Sequence, residues 1–446
     1  MRTLSLAQVA HILKCEGFFP SHHIKGYCTD SRLLNEGELF FALKGLHSDG
    51  HDFLHEIKQK GAVAAVVSKN YQGDIQGLRL LFVEDPLIAL QNLACTSLAR
   101  SSTRVAAITG SIGKTTTKEF TRILLSAKYR VSASPGNSNS QVGLPLAILN
   151  HSSPEDEILV LEMGMTEKGQ LARLVQIAPP EIAAITYIAL VHACGFQTLE
   201  DIALTKGEIF SSPKTKMGIL HCNIPCYEDV CRIGTFPKHS FSTTSEADYH
   251  LDPHHPDVIV SRLDKKAIPM GPLPVPGKHN IHNLMAAIGI ARYFGVCWEE
   301  IQRMIPALVM PEKRLQFVRK EGILFLNDSY NASEVSVKAA LETLAQVEGV
   351  DRKIAVLGSM MELGKFSEEC HRNVAEHSLK YVESMFCLGE ECKPIFETWR
   401  RANRPVRIFT TREDLVSCLK NELKPGDAVL LKGSRSKQLW KVLEEL

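Results

Sequence analysis

The stretch of sequence that decides the fold is Thr109-Gly110-Ser111-Ile112-Gly113-Lys114-Thr115-Thr116-Thr117. The apolar run at 105–108 before it predicts a short buried strand, and residues 118–127 after it predict an amphipathic helix. In a strand-to-helix turn of this kind, glycines let backbone N–H groups face an anion, and the helix N-terminus adds its positive end. The sequence therefore predicts a loop that binds phosphate groups.

Two side chains in this loop have predicted roles on a bound nucleotide such as ATP. Lys114 is expected to contact the outer phosphates, and the hydroxyl of Thr115 is expected to face Mg²⁺. The other loop positions predicted to bind the nucleotide are Gly110, Ser111, Ile112, Gly113 and Thr116. The loop is a shortened P-loop, because Ile108 stands where the full motif has another glycine. The alternative interpretation is an ordinary strand-to-helix turn that carries a surface lysine.

The composition argues against several classes of protein. The chain has 446 residues, 51 basic against 50 acidic ones, and a net charge of +1, so an extended nucleic-acid-binding surface is not expected. No apolar run approaches the roughly 18 residues that span a bilayer, and residues 1–17 lack the features of a signal peptide. The 12 cysteines follow no disulfide pattern, which is typical of a reduced, cytoplasmic protein.

The chain is too long for one hydrophobic core, and we predict three α/β domains. Residues 1–83 form a small N-terminal domain, residues 84–311 a central domain with the phosphate loop, and residues 312–446 a C-terminal domain. Strands and helices alternate, which predicts a mostly parallel, P-loop ATPase-like central sheet and a Rossmann-like, doubly wound last domain. No Gly-x-Gly-x-x-Gly follows the first strand of that last domain, so a bound dinucleotide is not expected.

The predicted elements follow from the pattern of apolar and β-branched residues. Ser5 and Gln8 have the spacing of a capping box at the start of an N-terminal helix. Strands are predicted at 38–43, 62–67, 80–83, 105–108, 158–161, 183–188, 218–220, 323–326, 354–357, 385–388, 408–409 and 429–431. Because ligands gather at the carboxyl ends of parallel strands, polar residues that follow these strands are candidate site residues.

Three candidates concern a metal beside the phosphates. Glu162 ends the strand at 158–161, where its carboxylate could hold Mg²⁺ opposite the phosphate loop; the alternative is a carboxylate in solvent. His192 follows the strand at 183–188, and a lone histidine is more often a structural hydrogen-bonding group than a ligand. Lys206 lies on a predicted helix, and by sequence alone it is a solvated lysine.

Polar segments supply further candidates, each with a plain structural alternative. The segment 135–145 is rich in amides and hydroxyls and could wrap a polar substrate near the γ-phosphate, or merely connect two elements. Asn280 and Asn283 share one face of a predicted helix and could read an adenine edge, although Asn280 could equally cap that helix. The turn at 29–32 offers a hydroxyl and a guanidinium for a phosphate or a base, or it is a solvated turn.

Together these stretches resemble the Mur ligases, the ATP-dependent amide-forming enzymes of peptidoglycan synthesis, and the resemblance runs through all three predicted domains. The pattern is closest to the members that add D-alanyl-D-alanine to UDP-N-acetylmuramoyl-tripeptide. The residues that carry the resemblance lie at 29–32, 109–117, 136–145, 162–164, 206–210, 276–283, 328–331, 356–358 and 432–435.

The resemblance implies a catalytic centre with two Mg²⁺ ions. Thr115, Glu162 and His192 would serve metal binding beside the γ-phosphate. Lys206 would be carbamylated by CO₂, which turns a cation into an anion that can share the second ion. Arg314, at the hinge before the last domain, would reach the phosphates when that domain closes. The implied catalytic residues are Lys114, His192, Lys206 and Arg314.

The resemblance also implies which residues contact the substrates. Asn280 and Asn283 would address the adenine. The residues implied on the nucleotide and acceptor side of the cleft are Asp328, Tyr330 and Asn331. Those implied for the UDP-peptide and the acceptor peptide are Ser31, Arg32, Asn137, Asn139, Lys432, Ser434 and Arg435. A monomer in the cytoplasm, with neither a nucleic-acid partner nor a membrane span, is expected.

The chain departs from the family pattern at several positions, and rival functions stay open. Tyr187 stands where the family usually has Asn, and the other departures are Cys194, Ser333, Glu334 and Ser359. One rival is a related ligase, either another Mur ligase or a folylpolyglutamate synthase. The Asp-Asn-Pro-Arg motif of the diaminopimelate-adding ligase is absent, and a folate enzyme would not need the segment 29–32. The other rival is an ATP-binding switch without ligase activity.

Overall fold

The computed structural model describes residues 4–73, 75–191, 195–243 and 247–446, and these residues form three α/β units with sheets of four, nine and six strands. Most neighbouring strands run parallel, and helices connect them. The predicted fold class is therefore confirmed. The domain boundaries placed after residues 83 and 311 stay a prediction.

The first unit is a parallel sheet with the strand order β1-β2-β3-β4. Its strands are β1 (Gly26–Cys28), β2 (Glu38–Phe41), β3 (Ala64–Ser68) and β4 (Leu80–Val83). The helices in this part of the chain are α1 (Leu6–Leu13), α2 (Leu54–Gln59) and α3 (Pro86–Ala99). The predicted capping box is present, because the N–H of Gln8 donates to Ser5 Oγ and the N–H of Ser5 donates to Gln8 Oε1.

The second unit is the largest sheet, with the order β13-β12-β11-β10-β9-β8-β5-β7-β6. Its strands are β5 (Arg104–Thr109), β6 (Val131–Ala133), β7 (Ile158–Glu162), β8 (Ile182–Ile185), β9 (Met217–His221), β10 (Lys238–Phe241), β11 (Tyr249–Leu251), β12 (Val258–Ser261) and β13 (Lys266–Pro269). Its helices are α4 (Lys114–Leu125), α5 (Gly143–His151), α6 (Gln170–Ile177), α7 (Leu199–Gly207), α8 (Tyr227–Arg232), α9 (His279–Tyr293) and α10 (Trp298–Met304).

Strand β5 lies inside this sheet, between β7 and β8, and its position explains where a ligand can bind. The run 105–109 is buried along its whole length, as a strand with helices on both sheet faces must be. The chain passes from β5 to β6 and β7 on one side and then to β8 on the other, so the strand order reverses around β5. The carboxyl end of β5 is therefore a topological switch point, the usual binding position in open α/β sheets.

The third unit is a six-stranded sheet with the order β14-β15-β19-β16-β17-β18, parallel except for β14. Its strands are β14 (Gln316–Lys320), β15 (Ile323–Asn327), β16 (Arg352–Gly358), β17 (Ser384–Leu388), β18 (Val406–Phe409) and β19 (Asp427–Lys432). Its helices are α11 (Glu334–Ala345), α12 (Ser367–Ser378), α13 (Lys393–Arg401), α14 (Arg412–Glu422) and α15 (Trp440–Glu445).

Hydrophobic packing joins the first two units. One continuous cluster of buried side chains runs from α1 and the first sheet through α3 to helices α5 and α6 of the second unit. A second cluster fills the opposite face of the central sheet beneath α4, α9 and α10. Two further clusters cover the two faces of the third sheet. Because the first cluster is shared, α3 fixes the small N-terminal sheet against the central one.

The twelve predicted strands are all present, and the structure adds others. The additional strands are β1, β6, β10, β11, β12, β13 and β14. Most are short, and β13 and β14 keep many side chains in solvent, so they lack the apolar run that reveals a buried strand. Helix α4 begins at Lys114, four residues earlier than predicted, because Gly113 serves as its N-cap. None of the helices in the described residues has the length and apolar character needed to cross a bilayer.

The third unit depends on a buried carboxylate at the start of β19. Arg352 Nε and Nη2 donate to the two oxygens of Asp427 at 2.7 and 2.6 Å, and the N–H of Lys424 donates to it at 2.8 Å. We expect Asp427→Ala to destabilise the protein by about 2–3 kcal/mol, because three donors lose their acceptor. Chemical denaturation measures this, with Glu84→Ala as the control, since Glu84 pairs with Lys69 in solvent and should cost at most about 0.5 kcal/mol. Equal losses of unfolding free energy in the two variants would contradict the prediction.

Candidate active site

Side chains of the second and third units meet around one cavity of about 810 Å³. The cavity lies at the carboxyl end of β5, where the topology predicts a ligand. The predicted site residues that line it are Ser111, Ile112, Gly113, Lys114, Thr115, Thr116, Asn137, Asn139, Glu162, Lys206, Asn280, Asn283, Arg314, Asp328, Tyr330, Asn331, Lys432, Ser434 and Arg435. Residues that are up to 324 positions apart in the chain are thus brought together, from Ser111 to Arg435.

Four predicted site residues are not among those that line this cavity. Gly110 is a buried residue of the phosphate loop, and His192 falls outside the described residues. Ser31 and Arg32 belong to a short 3₁₀ turn in the first unit. The Ser31 hydroxyl donates to Glu56 there, and Arg32 forms an exposed ion pair with Asp30 at 2.6 Å. This turn is therefore a separate surface feature of the N-terminal unit.

Close packing explains the two glycines of the phosphate loop. Gly110 has φ +148° and Gly113 has φ +87°, values that L side chains rarely adopt. A Cβ on Gly113 would lie 2.2 Å from Asn283 Oδ1, so helix α9 presses directly on the loop. The other side of the loop is tied to the segment after β8, because the N–H of Ser111 donates to the Tyr187 carbonyl at 2.7 Å. The shortened loop is thus held by contacts on both sides.

Lys114 begins helix α4 and curls back over the loop. Its Nζ donates to the carbonyls of Gly110 and Ser111 at 2.8 and 3.2 Å. Burial lowers the pKa of Lys114, the Arg314 charge lowers it further, and Glu162 acts in the opposite direction. An ammonium held beside backbone N–H groups and a helix N-terminus is suited to bind the outer phosphates of a nucleotide.

A chain of hydrogen bonds crosses the cavity floor. The Thr115 hydroxyl donates to Glu162 Oε2 at 2.7 Å, and the Asn139 amide donates to Glu162 Oε1 at 2.6 Å. Arg314 Nη2 donates to the same Thr115 hydroxyl at 2.9 Å. Glu162 is only 2% exposed, so the alternative of a carboxylate in solvent is wrong. The loop, the end of β7 and the hinge residue Arg314 therefore converge on one hydroxyl group.

Lys206 is buried, contrary to the solvated helix lysine that the sequence alone indicates. It lies on α7, it is 4% exposed, and it lines the cavity. Burial lowers the pKa of Lys206 well below its ordinary value, and the neighbouring charge of Lys114 adds to this effect. Within the described residues, no carboxylate lies within ion-pair distance of Lys206. Burial thus makes the neutral amine of Lys206 easier to form than that of a surface lysine.

The third unit contributes a second polar group of residues. Lys432 Nζ donates to Asp328 Oδ2 at 2.5 Å and to the Asn331 carbonyl at 3.0 Å, while the other Asp328 oxygen accepts the N–H of Leu315. The guanidinium of Arg314 lies 4.3 Å from the ring centre of Tyr330. The guanidinium of Arg435 lies 5.8 Å from the centre of the same ring. Asp328 therefore connects the end of β19 to the hinge that carries Arg314.

The two asparagines of α9 are engaged within the protein. Asn280 Nδ2 donates to the Pro276 carbonyl at 2.6 Å, and Asn283 Nδ2 donates to Asn280 Oδ1 at 2.9 Å. Asn283 Oδ1 accepts the Thr117 hydroxyl at 3.3 Å and touches Gly113. Asn280 is not the N-cap of α9, because that position is Lys278. Their contact with adenine stays a prediction.

Sequence reasoning missed one group of cavity residues. Tyr187, His221, Phe241 and His282 line the cavity beside the phosphate loop. Only the departure of Tyr187 from the family pattern gave a signal. His221 and Phe241 are the last residues of β9 and β10, and His282 lies in the first turn of α9. Nothing in the spacing of these three residues along the chain indicates that they lie close together.

These features define a three-unit α/β protein with a P-loop-like turn at the carboxyl end of β5 and a cavity that the second and third units line together. Comparison of the chain with protein families gives a more specific result. Residues 23–93 match the Mur ligase catalytic domain, residues 108–291 the Mur ligase middle domain, and residues 313–435 the Mur ligase glutamate ligase domain. The chain belongs to the Mur ligase family, as the sequence predicts.

Full-length relatives and solved structures agree with this assignment. The UDP-N-acetylmuramoyl-tripeptide--D-alanyl-D-alanine ligase of Bacillus subtilis is 34% identical over 95% of this chain and 93% of its own length. The enzyme of the same name from Escherichia coli is 31% identical over 100% of this chain and 99% of its own. The MurF ligase of Thermotoga maritima, solved in complex with ADP, superposes with a TM-score of 0.78, 30% identity and coverage of 94% and 96%. MurF of Acinetobacter baumannii gives a TM-score of 0.85, 25% identity and coverage of 100% and 98%.

The contact between Gly113 and Asn283 yields a test of the phosphate loop. We expect Gly113→Ala to weaken the binding of Mg·ADP at least about 100-fold, because the new methyl group must displace α9 or the loop. Isothermal titration calorimetry measures the affinity. Gly169→Ala is the matched control, since Gly169 has a similar φ of +81° but nothing within 4 Å of a Cβ. Similar affinities of the Gly113 variant and the wild type would mean that the loop does not hold phosphate.

Proposed function

We propose that this protein is an ATP-dependent ligase that joins D-alanyl-D-alanine to UDP-N-acetylmuramoyl-tripeptide and releases ADP and phosphate. The two full-length relatives carry that name, and the Thermotoga maritima structure binds ADP. The observation that carries the proposal is the hydrogen-bonded set of Arg314, Thr115 and Glu162 beside Lys114. It places the phosphate loop, a buried carboxylate and the hinge of the last unit at one point.

The cavity suits activation of a carboxylate by phosphoryl transfer. A carboxylate oxygen of the tripeptide attacks the γ-phosphorus of ATP, the bond to the β-phosphate oxygen breaks, and ADP leaves. The amine of the second substrate then attacks the acyl carbon, loses a proton, and expels inorganic phosphate as the amide forms. Such reactions depend on positioning and charge neutralisation more than on a protein nucleophile. Lys114 and Arg314 are the cations suited to the phosphates.

The residues around Thr115 fit a magnesium ion. Mg²⁺ prefers oxygen ligands and is usually held by one or two carboxylates together with substrate phosphates. Thr115 and Glu162 place a hydroxyl and a buried carboxylate at the cavity wall with their oxygens 2.7 Å apart. When bound, the metal would offset negative charge on the phosphates. We propose that Arg314, which donates to the Thr115 hydroxyl, moves to the phosphates when nucleotide and metal bind.

Lys206 fits the role of a carbamate-bearing lysine. Only a neutral amine attacks CO₂, and both burial and the charge of Lys114 lower the pKa of Lys206 and favour that form. The carbamate would be an anion near the cation of Lys114 and would supply oxygen ligands for a second magnesium ion. His192 would be a further metal ligand, as the family resemblance implies.

The remaining predicted residues are assigned to the substrates. We place the UDP end of the first substrate at Ser31 and Arg32 in the N-terminal unit, because the exposed guanidinium of Arg32 could exchange its ion pair with Asp30 for a phosphate group. Asn137 and Asn139 would face the peptide part near the γ-phosphate. The acceptor peptide would lie against Lys432, Ser434 and Arg435 of the last unit, with the set Asp328, Tyr330 and Asn331 between it and the nucleotide. A monomeric, cytoplasmic enzyme is part of the same proposal.

Phosphate release tests the proposed function. The purified protein is given Mg·ATP and UDP-N-acetylmuramoyl-tripeptide, and D-alanyl-D-alanine is compared with D-alanine, diaminopimelate and a folate-plus-glutamate pair. We expect release of phosphate and a new amide only with the dipeptide. Stimulation by another acceptor would assign a different ligase reaction. Nucleotide binding without phosphate release under any condition would favour a switch and overturn the proposal.

Carbamylation of Lys206 has a direct spectroscopic test. We expect wild-type protein incubated with ¹³C-bicarbonate to show a carbamate carbon resonance that Lys206→Ala lacks, because the buried amine is the group that reacts with CO₂. The variant should lose at least about 100-fold in turnover, since one catalytic charge is missing, and short-chain carboxylates should restore part of it. Lys168→Ala, which removes a mostly exposed lysine of the same unit, is the control. A resonance that persists in Lys206→Ala would rule out this site.

A further inference from the structure

Helix α4 carries a buried lysine that has no role in the proposed mechanism. Lys118 lies one turn after Lys114, and its side chain is fully buried. Its Nζ donates to the carbonyls of Ser134 and Gly136 at 2.5 and 3.0 Å, and it lies 3.2 Å from a carboxylate oxygen of Glu119. A lysine ammonium has three N–H donors. Each donor of this buried group therefore has an acceptor in the structure.

The acceptors of Lys118 indicate what the buried ammonium does. A charged group removed from water is unfavourable unless hydrogen bonds and opposite charge compensate it. Two of the three acceptors are neutral carbonyls of one short segment, residues 134–139, which follows β6. An apolar side chain of similar volume could fill the same space without this desolvation. The hydrogen bonds of Lys118 therefore favour a role in holding the segment 134–139 against α4.

The segment 134–139 passes along the carboxyl end of β7 and contacts Glu162 at both of its ends. At the first end, the N–H of Glu162 donates to Ser134 Oγ at 3.1 Å. At the other end, Asn139 Nδ2 donates to Glu162 Oε1 at 2.6 Å, and the N–H of Gly164 donates to the Asn139 carbonyl at 2.8 Å. The position of this segment therefore determines the surroundings of both the backbone and the carboxylate of Glu162.

The two ends of the segment differ in how closely they are packed. A Cβ on Gly164 would lie 2.9 Å from Asn139 Cγ, so the Asn139 amide is in close contact with the backbone after β7. Gly136 has φ +49° and nothing within 4 Å of a Cβ, so the turn at this residue is open to solvent. The hydrogen bond from Lys118 ties this open turn to the helix that carries the phosphate loop's lysine and threonine.

We propose that Lys118 is a positioning residue for the magnesium site, because it holds the segment 134–139 where Asn139 can orient the carboxylate of Glu162. Asn139 binds Oε1 of this carboxylate and Thr115 binds Oε2. Since the two oxygens belong to one planar group, fixing Oε1 also fixes the direction of Oε2. Groups that orient a metal ligand typically change metal affinity by about 10–100-fold. The proposal rests on the proposed function, which places Mg²⁺ beside Thr115 and Glu162.

The test measures how much magnesium strengthens the binding of ADP to the full-length protein. Calorimetry gives the dissociation constant of ADP in EDTA and in excess Mg²⁺, and the ratio of the two constants is the metal enhancement. Lys118→Met keeps a side chain of similar length and removes the ammonium. We expect it to lower the metal enhancement about tenfold, because the carboxylate of Glu162 loses its fixed orientation. The affinity for metal-free ADP should stay within about twofold, which also shows that the variant is folded.

A double variant separates this role from a general loosening of the fold. Asn139→Ala removes the contact with Glu162 without changing α4, and it should also lower the metal enhancement about tenfold. If Lys118 acts through Asn139, the double variant should lose less than about twofold beyond the larger single loss. Lys128→Met is the matched control, because Lys128 Nζ donates to the Gly295 carbonyl at 2.9 Å in an exposed position away from the cavity. It should leave the metal enhancement unchanged.

Each outcome has a separate meaning. An unchanged metal enhancement in Lys118→Met, or single losses that multiply in the double variant, would overturn the positioning role of Lys118. If Lys118→Met does not fold, an unchanged metal enhancement in Asn139→Ala would overturn that role by itself. Wild-type protein that binds ADP equally well with and without Mg²⁺ would instead overturn the magnesium site. Wild-type protein that binds no ADP under either condition would overturn the proposed function.

Discussion

The arrangement of the cavity depends on how the buried carboxylate of Glu162 is compensated. A carboxylate removed from water is strongly unfavourable unless hydrogen bonds and positive charge surround it. The Thr115 hydroxyl and the Asn139 amide provide the hydrogen bonds, and Lys114 provides nearby positive charge. These groups come from α4 and from the loop before α5, so one carboxylate holds two separate segments of the central unit together.

The parts of the site whose residues lie close together in the chain could be predicted from the sequence. The phosphate loop has its strand, glycines and helix within one short segment, and Glu162 is visible because it ends an apolar strand. Lys206 and Arg314 could be found only through the family resemblance. In the sequence each is an ordinary polar residue. The chemistry of Lys206 arises from its burial, and that of Arg314 arises from its contact with Thr115, 199 positions away.

Some strands of the fold could not be predicted from the sequence for a similar reason. Buried parallel strands are recognisable because both of their faces are covered, whereas β13 and β14 are edge strands with exposed side chains. The cavity residues at 187, 221, 241 and 282 were missed because they lie far apart in the chain, after β8, at the ends of β9 and β10, and in α9. Only the strand order β5-β8-β9-β10 places them side by side, and this order is a property of the complete sheet.

The contact of Arg314 with Thr115 affects how the cleft would return to its starting arrangement after each reaction. The guanidinium donates to the same hydroxyl group that donates to Glu162. A metal cation that binds this hydroxyl would therefore replace the guanidinium, so a positive charge would lie near Glu162 in both arrangements. The net affinity for the metal cation would then be the difference between its own interaction with this hydroxyl group and that of Arg314. As the products leave, Arg314 would return to Thr115, so that Glu162 is not left without a compensating positive charge.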